Sequence, residues 1–226
     1  MLVDASLFLR AAYRAFISPA KPKRSYSQYA EDLLIELALA QPREKGFYVD
    51  VGCHHPRRGS NTYSLYRKGW NGLLIDLEEV KVLACKLLRW RDRAILTAVS
   101  DREQEVEIFS PKDFSTNTTI DLRSVTEPEK YRPIGRMQAK TLTAILNEHQ
   151  VPRQFELLSI DVEGADFEAI KGLDFEQYYP KVICIENWES VKGVEAVLVS
   201  PIHRWLDDRR YHLTAWCGLS TIYKRK

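Results

Sequence analysis

The stretch that decides the fold is YVDVGCHHPRRGSNTYSLYRKGWNGLLIDLE, residues 48–78. It opens with an apolar strand that leads into Asp50 and Gly52, and it closes with a second strand that leads into Asp76. A dinucleotide-binding loop would carry G-x-G-x-x-G between strand and helix, whereas residues 53–58 are CHHPRR. The stretch therefore predicts a nucleotide-type strand–loop–helix–strand unit whose loop lacks the glycines that let a backbone wrap phosphates.

The alternation that begins in this stretch continues along the chain. Buried strands are predicted in GFYVDVG, GLLIDLE, AILTAVS, FELLSIDVEG and KVICIEN, and YHLTAWCGLSTIYKR predicts a closing antiparallel hairpin. Helices are predicted at residues 26–41, 60–67, 79–90, 141–150, 165–171 and 194–209, the last bent at Pro201. Strands rich in Val, Ile and Leu are typical of parallel sheets covered on both faces, so the fold class is α/β with a mostly parallel sheet.

Size and charge limit the classes of protein that fit. The chain has 226 residues, 45% hydrophobic and 28% charged, which suits one globular domain with a short appendage. A net charge of +2 gives no field that favours nucleic acid. The four cysteines are widely spaced and form no Cys-x-x-Cys pair, which argues against a zinc site. Without a secretory signal, reduced cysteines predict a cytoplasmic protein.

The N-terminus, MLVDASLFLRAAYRAFISP, predicts an amphipathic helix. Prolines and positive charges at residues 18–25 separate it from the rest, which divides the chain into an N-terminal helix with a basic linker (1–24) and the main domain (25–226). The helix is too short and too charged to span a bilayer. We expect it to pack on its own domain or on a second subunit of a homo-oligomer; the alternative is a peripheral contact with a membrane surface.

Acidic residues follow the predicted strands one after another. They are Asp50, Asp76, Asp101, Asp161, Glu163 and Glu186, and Asn187 follows the last of them. Ligands of such sheets bind at the carboxyl ends of the strands, where these carboxylates would repel a pyrophosphate. Asp76 comes 24 residues after Gly52 (76 − 52), near the roughly 20-residue offset of a ribose-binding acid. A ligand with a ribose, an adenine and a positive charge fits, which indicates S-adenosylmethionine.

Several motifs together resemble the FkbM family of S-adenosylmethionine-dependent methyltransferases over residues 26–186. They include YSQYAEDLLI, the opening stretch with SNT at 60–62 and GW at 69–70, AVSDREQEVEIF, TLTAILNEH, and IDVEG at 160–164. Many relatives have His-Asp-Gly where this chain has His54-His55-Pro56. The resemblance implies a Rossmann-like class I methyltransferase fold with a seven-stranded sheet. It also implies O-methylation, commonly of sugars or other secondary metabolites.

Candidate cofactor-binding residues come from the strand ends and from the resemblance. Asp50 and Gly52 are assigned to the cofactor loop, Asp76 to the ribose, and Ser100 and Asp101 to the adenine side. Further candidates are Asn61 and Thr62 for the methionyl end, Gln28 and Asp32 on a covering helix, and Asp161. For each of these residues, a simple role in capping a helix or forming a turn is the alternative.

Asp161 is the leading candidate for chemistry, because methyl transfer to a hydroxyl needs the acceptor oxygen positioned and its proton removed. Glu163 points the same way along a strand, and His54 is an alternative base. Asp161, Glu186 and Asn187 could together bind Mg²⁺ or another divalent cation through oxygen ligands. The alternative is that Asp161 acts alone or caps the helix that follows it.

The acceptor side is less well defined. Arg57 and Arg58 are candidates for binding an anionic substrate group or are surface charges, and the polar stretch 114–123 is a candidate substrate lid. The leading hypothesis is an O-methyltransferase that acts on a small-molecule or glycan hydroxyl. The alternatives are a cofactor-binding module without catalysis and a methyltransferase with a non-glycan acceptor. Missing glycines disfavour an NAD-dependent oxidoreductase, and near-neutral charge disfavours a nucleic-acid methyltransferase.

Overall fold

The computed structural model describes residues 5–17, 23–40, 45–112, 118–125 and 127–226. Its strands are β1 (Phe47–Val51), β2 (Asn71–Asp76), β3 (Arg93–Leu96), β4 (Ala98–Val99), β5 (Gln104–Pro111), β6 (Tyr131–Lys140), β7 (Leu157–Ile160), β8 (Val182–Glu186), β9 (Tyr211–Cys217) and β10 (Ser220–Arg225). Its α-helices are α1 (Ala5–Ala12), α2 (Glu31–Ala38), α3 (Tyr63–Arg67), α4 (Glu79–Leu88), α5 (Leu142–Glu148), α6 (Asp166–Lys171), α7 (Val194–Val199) and α8 (Pro201–Asp207).

The main sheet has seven strands in the order β3-β2-β1-β7-β8-β10-β9. Neighbouring strands from β3 to β8 pair in parallel, and β10 pairs antiparallel with both β8 and β9. The strand order reverses at β1, which lies between β2 and β7, and this is the position at which α/β sheets bind ligands. The predicted Rossmann-like class I methyltransferase fold is confirmed.

A second sheet of three strands, in the order β4-β6-β5, was not predicted from the sequence. The stretch AILTAVS divides between β3 in the main sheet and β4 in this one. Strand β6 contains Pro133 and Gly135, and of its ten residues only Ala139 is buried. It lacks the apolar alternation that reveals a half-buried strand, because it is held by its antiparallel pairing with β5.

The main sheet is covered on both faces, as its apolar strands predict. One core cluster joins Val49 and Val51 of β1 to apolar side chains of α5, α6 and α8. The other joins Tyr48 of β1 to side chains of α2, α3 and α4. Successive side chains of a strand point to opposite faces, so Asp50 lies on the same side as Tyr48, towards α3 and α4.

The N-terminal helix forms as predicted and is followed by a π-helical turn, Tyr13–Ile17. No residue of α1 is buried, so the expectation that it packs on its own domain is not met within the described residues. None of the helices in the described ranges is long and apolar enough to cross a membrane. The basic linker lies partly outside the described residues, which omit 18–22.

A buried arginine ties β1 to the two helices beside it. Arg89, with none of its surface exposed, donates to Asp92 Oδ2 (2.7 Å), to the Tyr48 hydroxyl (2.8 Å) and to Thr62 Oγ1 (2.9 Å). The Thr62 hydroxyl in turn donates to Asp50 Oδ2 (2.5 Å). Burial raises the pKa of Asp50, and the Arg89 charge opposes that rise. The network therefore fixes the start of α3 against the end of β1.

Replacing Arg89 with alanine is expected to lower the free energy of unfolding by about 3–5 kcal/mol, because Asp92 would be left buried without its ion pair. Urea denaturation measures this change. The control is Lys86→Ala, which removes an exposed charge from α4 and is expected to change stability by less than about 0.5 kcal/mol. Equal stability of the Arg89 variant and wild type would refute the role given to the network.

Candidate active site

A cavity of about 570 Å³ lies at the carboxyl ends of the parallel strands. This volume is in the range of sites for small organic ligands. Its walls include Gly52 after β1, Asp76 at the end of β2, Asp161 after β7 and Glu186 at the end of β8. The strand ends that the sequence singles out therefore meet around one cavity.

The loop after β1 passes so close to its neighbours that residue 52 must be glycine. The N–H groups of Gly52 and Cys53 both donate to the Ile75 carbonyl oxygen, at 2.8 and 3.1 Å. On its other side, a Cβ atom built on Gly52 would lie 1.6 Å from the carbonyl oxygen of Asp161. Gly52 also has a φ of +81°, in the left-handed region that favours glycine.

Asp76 presents a carboxylate to the cavity while fixing the loop. Its Oδ2 accepts from the His54 N–H (2.9 Å) and its Oδ1 accepts from the Glu78 N–H (3.0 Å). The residue is 6% exposed, burial raises the pKa of its carboxyl group, and the charge of Lys81 opposes that rise. A carboxylate oxygen can accept more than one hydrogen bond, so Asp76 keeps capacity for the hydroxyl groups of a ribose.

The residues assigned to the adenine side lie elsewhere. Thr97 and Val99 line the cavity beyond β3, whereas Ser100 and Asp101 do not. The Asp101 carboxylate instead accepts from Lys171 Nζ at 2.9 Å, and this hydrogen bond lowers the pKa of Asp101. The structure gives Asp101 a role in holding α6 against the turn after β4.

Three of the predicted cofactor ligands are used by the fold on the far side of β1. Asp50 and Thr62 belong to the Arg89 network. Asn61 donates through Nδ2 to Ser159 Oγ of β7 at 3.1 Å. None of these three lines the cavity, so they position its loop rather than form its wall.

The two residues predicted on the covering helix separate. Gln28 lines the cavity. Asp32 is fully buried and accepts from the hydroxyl groups of Ser25 (2.6 Å) and Ser27 (3.0 Å) and from the N–H of Tyr26 (2.8 Å). Asp32 thus organises the segment that delivers Gln28 to the cavity and makes no contact with the cavity itself.

Three carboxylates converge after β7 and β8. Oxygen atoms of Asp161, Asp166 and Glu186 lie within 4.8 Å of one another. Asp166 is oriented by the N–H groups of Val162 and Gly164, each at 3.0 Å. Asp161 accepts no hydrogen bond through its side chain within the described residues.

The convergence of like charges gives this group, which we call the carboxylate cluster, unusual proton affinities. Burial and repulsion from Asp166 raise the pKa of Asp161 well above its usual range. Burial raises the pKa of Asp166 to about 7, and burial together with repulsion from Asp161 raises the pKa of Glu186 to about 10. A positively charged ligand would relieve this repulsion, so the cluster is complementary to a cation.

Asn187 does not join this cluster. Its Oδ1 accepts from the Glu189 N–H (3.2 Å) and its Nδ2 donates to Ser200 Oγ (3.0 Å), so it caps the 3-10 helix Trp188–Lys192. Asp166 takes its place and gives three oxygen ligands that suit a hard cation such as Mg²⁺. A divalent cation remains a prediction, and its ligands become Asp161, Asp166 and Glu186.

His54 and Glu163, the other candidates for chemistry, both line the cavity with left-handed backbones, at φ values of +48° and +56°. Such strain in residues other than glycine is concentrated at functional sites. Burial and then the Lys81 charge lower the pKa of His54, and the acids that act on it are Asp76 and Glu78. His54 thus lies beside Asp76, to which its backbone N–H donates, while burial raises the pKa of Glu163.

Sequence reasoning missed Lys81 and Trp188, which line the cavity, and Asp166, which belongs to the carboxylate cluster. Trp188 immediately follows the strand-end pair Glu186-Asn187, so its position was a usable signal. Asp166 joins the cluster after a turn in which Glu163 and Gly164 have positive φ, and only Gly164 signals this turn in the sequence. Of the candidate lid at 114–123, residues 114–117 lie outside the described residues, and Thr118 and Ile120 line the cavity.

The model of the Methyltransferase FkbM domain matches residues 50–213. No curated protein matches the chain. Among solved structures, a TehB-like SAM-dependent methyltransferase from Corynebacterium glutamicum ATCC 13032 Kitasato is 13% identical with a TM-score of 0.43, over 98% of this chain and 96% of that one. An O-methyltransferase from Bacillus cereus in complex with SAH is 12% identical with a TM-score of 0.44, over 100% and 93%. Because both scores are low, the fold assignment rests on the strand order of the chain itself.

Gly52→Ala is expected to abolish binding of S-adenosylhomocysteine, because the new Cβ collides with the Asp161 carbonyl and displaces the loop that Asp76 holds. Isothermal calorimetry measures the affinity. Gly193→Ala is the matched control, since φ there is +104° but a Cβ would meet nothing within 4 Å. Both variants bear backbone strain, but only the Gly52 variant adds a collision, so only that variant should lose the ligand. Wild-type affinity in the Gly52 variant would contradict the assignment.

Proposed function

The chain belongs to the FkbM methyltransferase family and is an S-adenosylmethionine-dependent methyltransferase, and we propose that its acceptor is a hydroxyl group of a sugar, a glycan or a related secondary metabolite. The observation that carries this proposal is the carboxylate cluster, of which Asp161 and Glu186 line the cavity. Carboxylates can both orient an acceptor hydroxyl by hydrogen bonding and take its proton.

Asp76 and the carboxylate cluster would hold the cofactor between them in the cavity. When bound, S-adenosylmethionine supplies an electrophilic methyl group on a cationic sulfur. Asp76 would accept hydrogen bonds from the ribose hydroxyls, and Thr97 and Val99, which line the cavity, would contact the adenine. The ionised form of the cluster would favour the cationic cofactor over its neutral product, which would assist product release.

Asp161 acts as the general base. It takes the proton of the acceptor hydroxyl as the oxygen forms its bond to the methyl carbon and the carbon–sulfur bond breaks, with the electron pair remaining on sulfur. Asp166 is held by two backbone N–H groups and fixes the negative environment of Asp161. Glu186 orients the acceptor hydroxyl through a carboxylate that Trp188 Nε1 holds at 3.1 Å.

Asp161→Asn is expected to lower kcat by about 10²–10⁴-fold, because the amide cannot accept the proton. Binding of S-adenosylhomocysteine should persist, since it does not depend on the proton transfer. The measurement is S-adenosylhomocysteine formation with a panel of sugar hydroxyl acceptors, beside calorimetry of the same variant. Asp208→Asn, which removes an exposed acid directly after α8, is the control and should retain full activity.

The same assay separates a carboxylate that acts alone from one that acts with a cation. Activity lost with a chelator and restored by Mg²⁺, together with calorimetric Mg²⁺ binding that Asp166→Asn removes, would assign a cation to the cluster. Activity that is indifferent to chelation would leave Asp161 as the base without one. Unchanged kcat in Asp161→Asn would refute the role of this residue under either condition.

We further propose that α1 contacts the surface of a membrane rich in anionic lipids. Phe8 of α1 and Phe16 of the π-helical turn that follows it are exposed, and no acidic residue occurs between Asp4 and Glu31. That interval holds five basic residues, Arg10, Arg14, Lys21, Lys23 and Arg24. Exposed aromatic rings with neighbouring basic charges are typical of interfacial helices. The cytoplasmic location and the homo-oligomer suggested by the sequence stay predictions.

Sedimentation with liposomes tests this contact. Wild-type protein is expected to bind vesicles that contain phosphatidylserine and to bind neutral vesicles weakly, while Phe8→Ser with Phe16→Ser reduces binding severalfold. Leu87→Ser, a comparably exposed apolar residue on α4, is the control. Equal binding of the α1 variant and the control variant would exclude α1 as the membrane contact.

A further inference from the structure

Three aromatic side chains with large exposed surfaces stand together beside the cavity. Tyr29, Trp188 and Trp216 are 48%, 47% and 40% exposed, and we call them the aromatic rim. They come from three separate parts of the chain, namely the segment before α2, the 3-10 helix after β8 and the end of β9. Large exposed apolar patches that do not pack against the hydrophobic core often mark binding sites.

Gly218 joins two members of the rim. Its carbonyl oxygen accepts from Trp216 Nε1 and from Ser190 Oγ, each at 3.1 Å. A Cβ atom on Gly218 would lie 2.2 Å from the Tyr29 ring, so this ring rests directly on the turn of the hairpin. Ser190 belongs to the same 3-10 helix as Trp188, which places all three aromatic residues around one turn.

The rim is continuous with the cavity wall. Trp188 lines the cavity, together with Leu219 and Gln28. Leu219 accepts from the Asn187 N–H at 2.8 Å, and Gln28 Nε2 donates to the Tyr29 hydroxyl at 3.1 Å. A ligand that fills the acceptor end of the cavity and extends outwards therefore meets the rim.

The polar atoms of the three rings are already bonded. Trp188 Nε1 donates to Glu186, Trp216 Nε1 donates to Gly218, and the Tyr29 hydroxyl accepts from Gln28. These bonds fix the rings and leave flat apolar faces as the free surface. Such a face suits a sugar, whose ring has a C–H side that stacks on aromatic carbon and hydroxyl groups at its edge that bind carboxylates.

We propose that the aromatic rim binds an extended glycan, so that the natural acceptor is an oligosaccharide or polysaccharide and not a free monosaccharide. Trp188 stacks on the sugar whose hydroxyl is methylated, while the neighbouring carboxylates bind that hydroxyl. Tyr29 and Trp216 stack on the sugars beyond it. This inference rests on the proposed methyl transfer to a sugar hydroxyl and specifies the length and orientation of the acceptor.

The test is binding of the protein, saturated with S-adenosylhomocysteine, to an array of immobilised glycans from one to six sugars, with alkyl alcohols and phenols on the same array. Wild-type protein is expected to bind longer glycans more tightly than the matching monosaccharides. Trp188→Ala should weaken every glycan by about tenfold, whereas Trp216→Ala should weaken only glycans of two or more sugars. Tyr29→Phe, which keeps the ring, should bind like wild type.

Trp90→Ala is the control, because Trp90 is 75% exposed but lies beyond α4 and does not line the cavity. Calorimetry with S-adenosylhomocysteine is run on every variant. A wild-type protein that fails to bind S-adenosylhomocysteine overturns the proposed function itself. If S-adenosylhomocysteine binds normally, three results would overturn the role of the rim alone. These are no binding of wild-type protein to any glycan, binding to the alkyl alcohols or phenols instead, and equal glycan binding by Trp188→Ala and Trp90→Ala.

Discussion

Buried acidic groups without a matching positive charge are the constraint on which the site depends. Asp161, Asp166 and Glu186 lie close together after β7 and β8. Asp166 raises the pKa of Asp161, and both of these acids raise the pKa of Glu186. Backbone N–H groups bind Asp166, and an indole N–H binds Glu186, but these are partial compensations. The fold thus keeps an arrangement that is unfavourable for stability and favourable for a cationic ligand, a trade that is common at active sites.

The contrast between Asp50 and Asp76 explains how far the sequence could predict this site. Both acids end predicted strands, and both were assigned to the cofactor. Asp50 lies one residue inside β1, where the alternation of side chains turns it towards Arg89. Asp76 is the last residue of β2, one residue beyond the last pair between β2 and β1, and it lines the cavity. The apolar periodicity of the sequence located the strands. Whether an acid reaches the cavity depended on the exact residue at which its strand ends, which the periodicity does not fix.

Other features depend on contacts between distant segments and had no local signal. Strand β6 is formed by pairing with β5 and has little apolar alternation of its own. Arg89 follows α4 in the unremarkable sequence LLRW, yet it meets Tyr48 and Thr62, which lie 41 and 27 residues away. The parallel part of the main sheet was predictable because each of its strands is a run of apolar residues that by itself indicates burial. Its second sheet and its ion network were not, because both require the folded chain.

Trp188 connects recognition of the acceptor to the chemistry. The Trp188 indole, whose exposed face belongs to the aromatic rim, is also the group whose N–H donates to the Glu186 carboxylate. Any ligand that shifts this ring must also shift a carboxylate beside Asp161, because a hydrogen bond of 3.1 Å joins them. Side chains held by such mutual bonds lose little further freedom when a ligand binds. The carboxylates are therefore best oriented when the ring is in place, which makes stacking of the acceptor and removal of its proton parts of one arrangement.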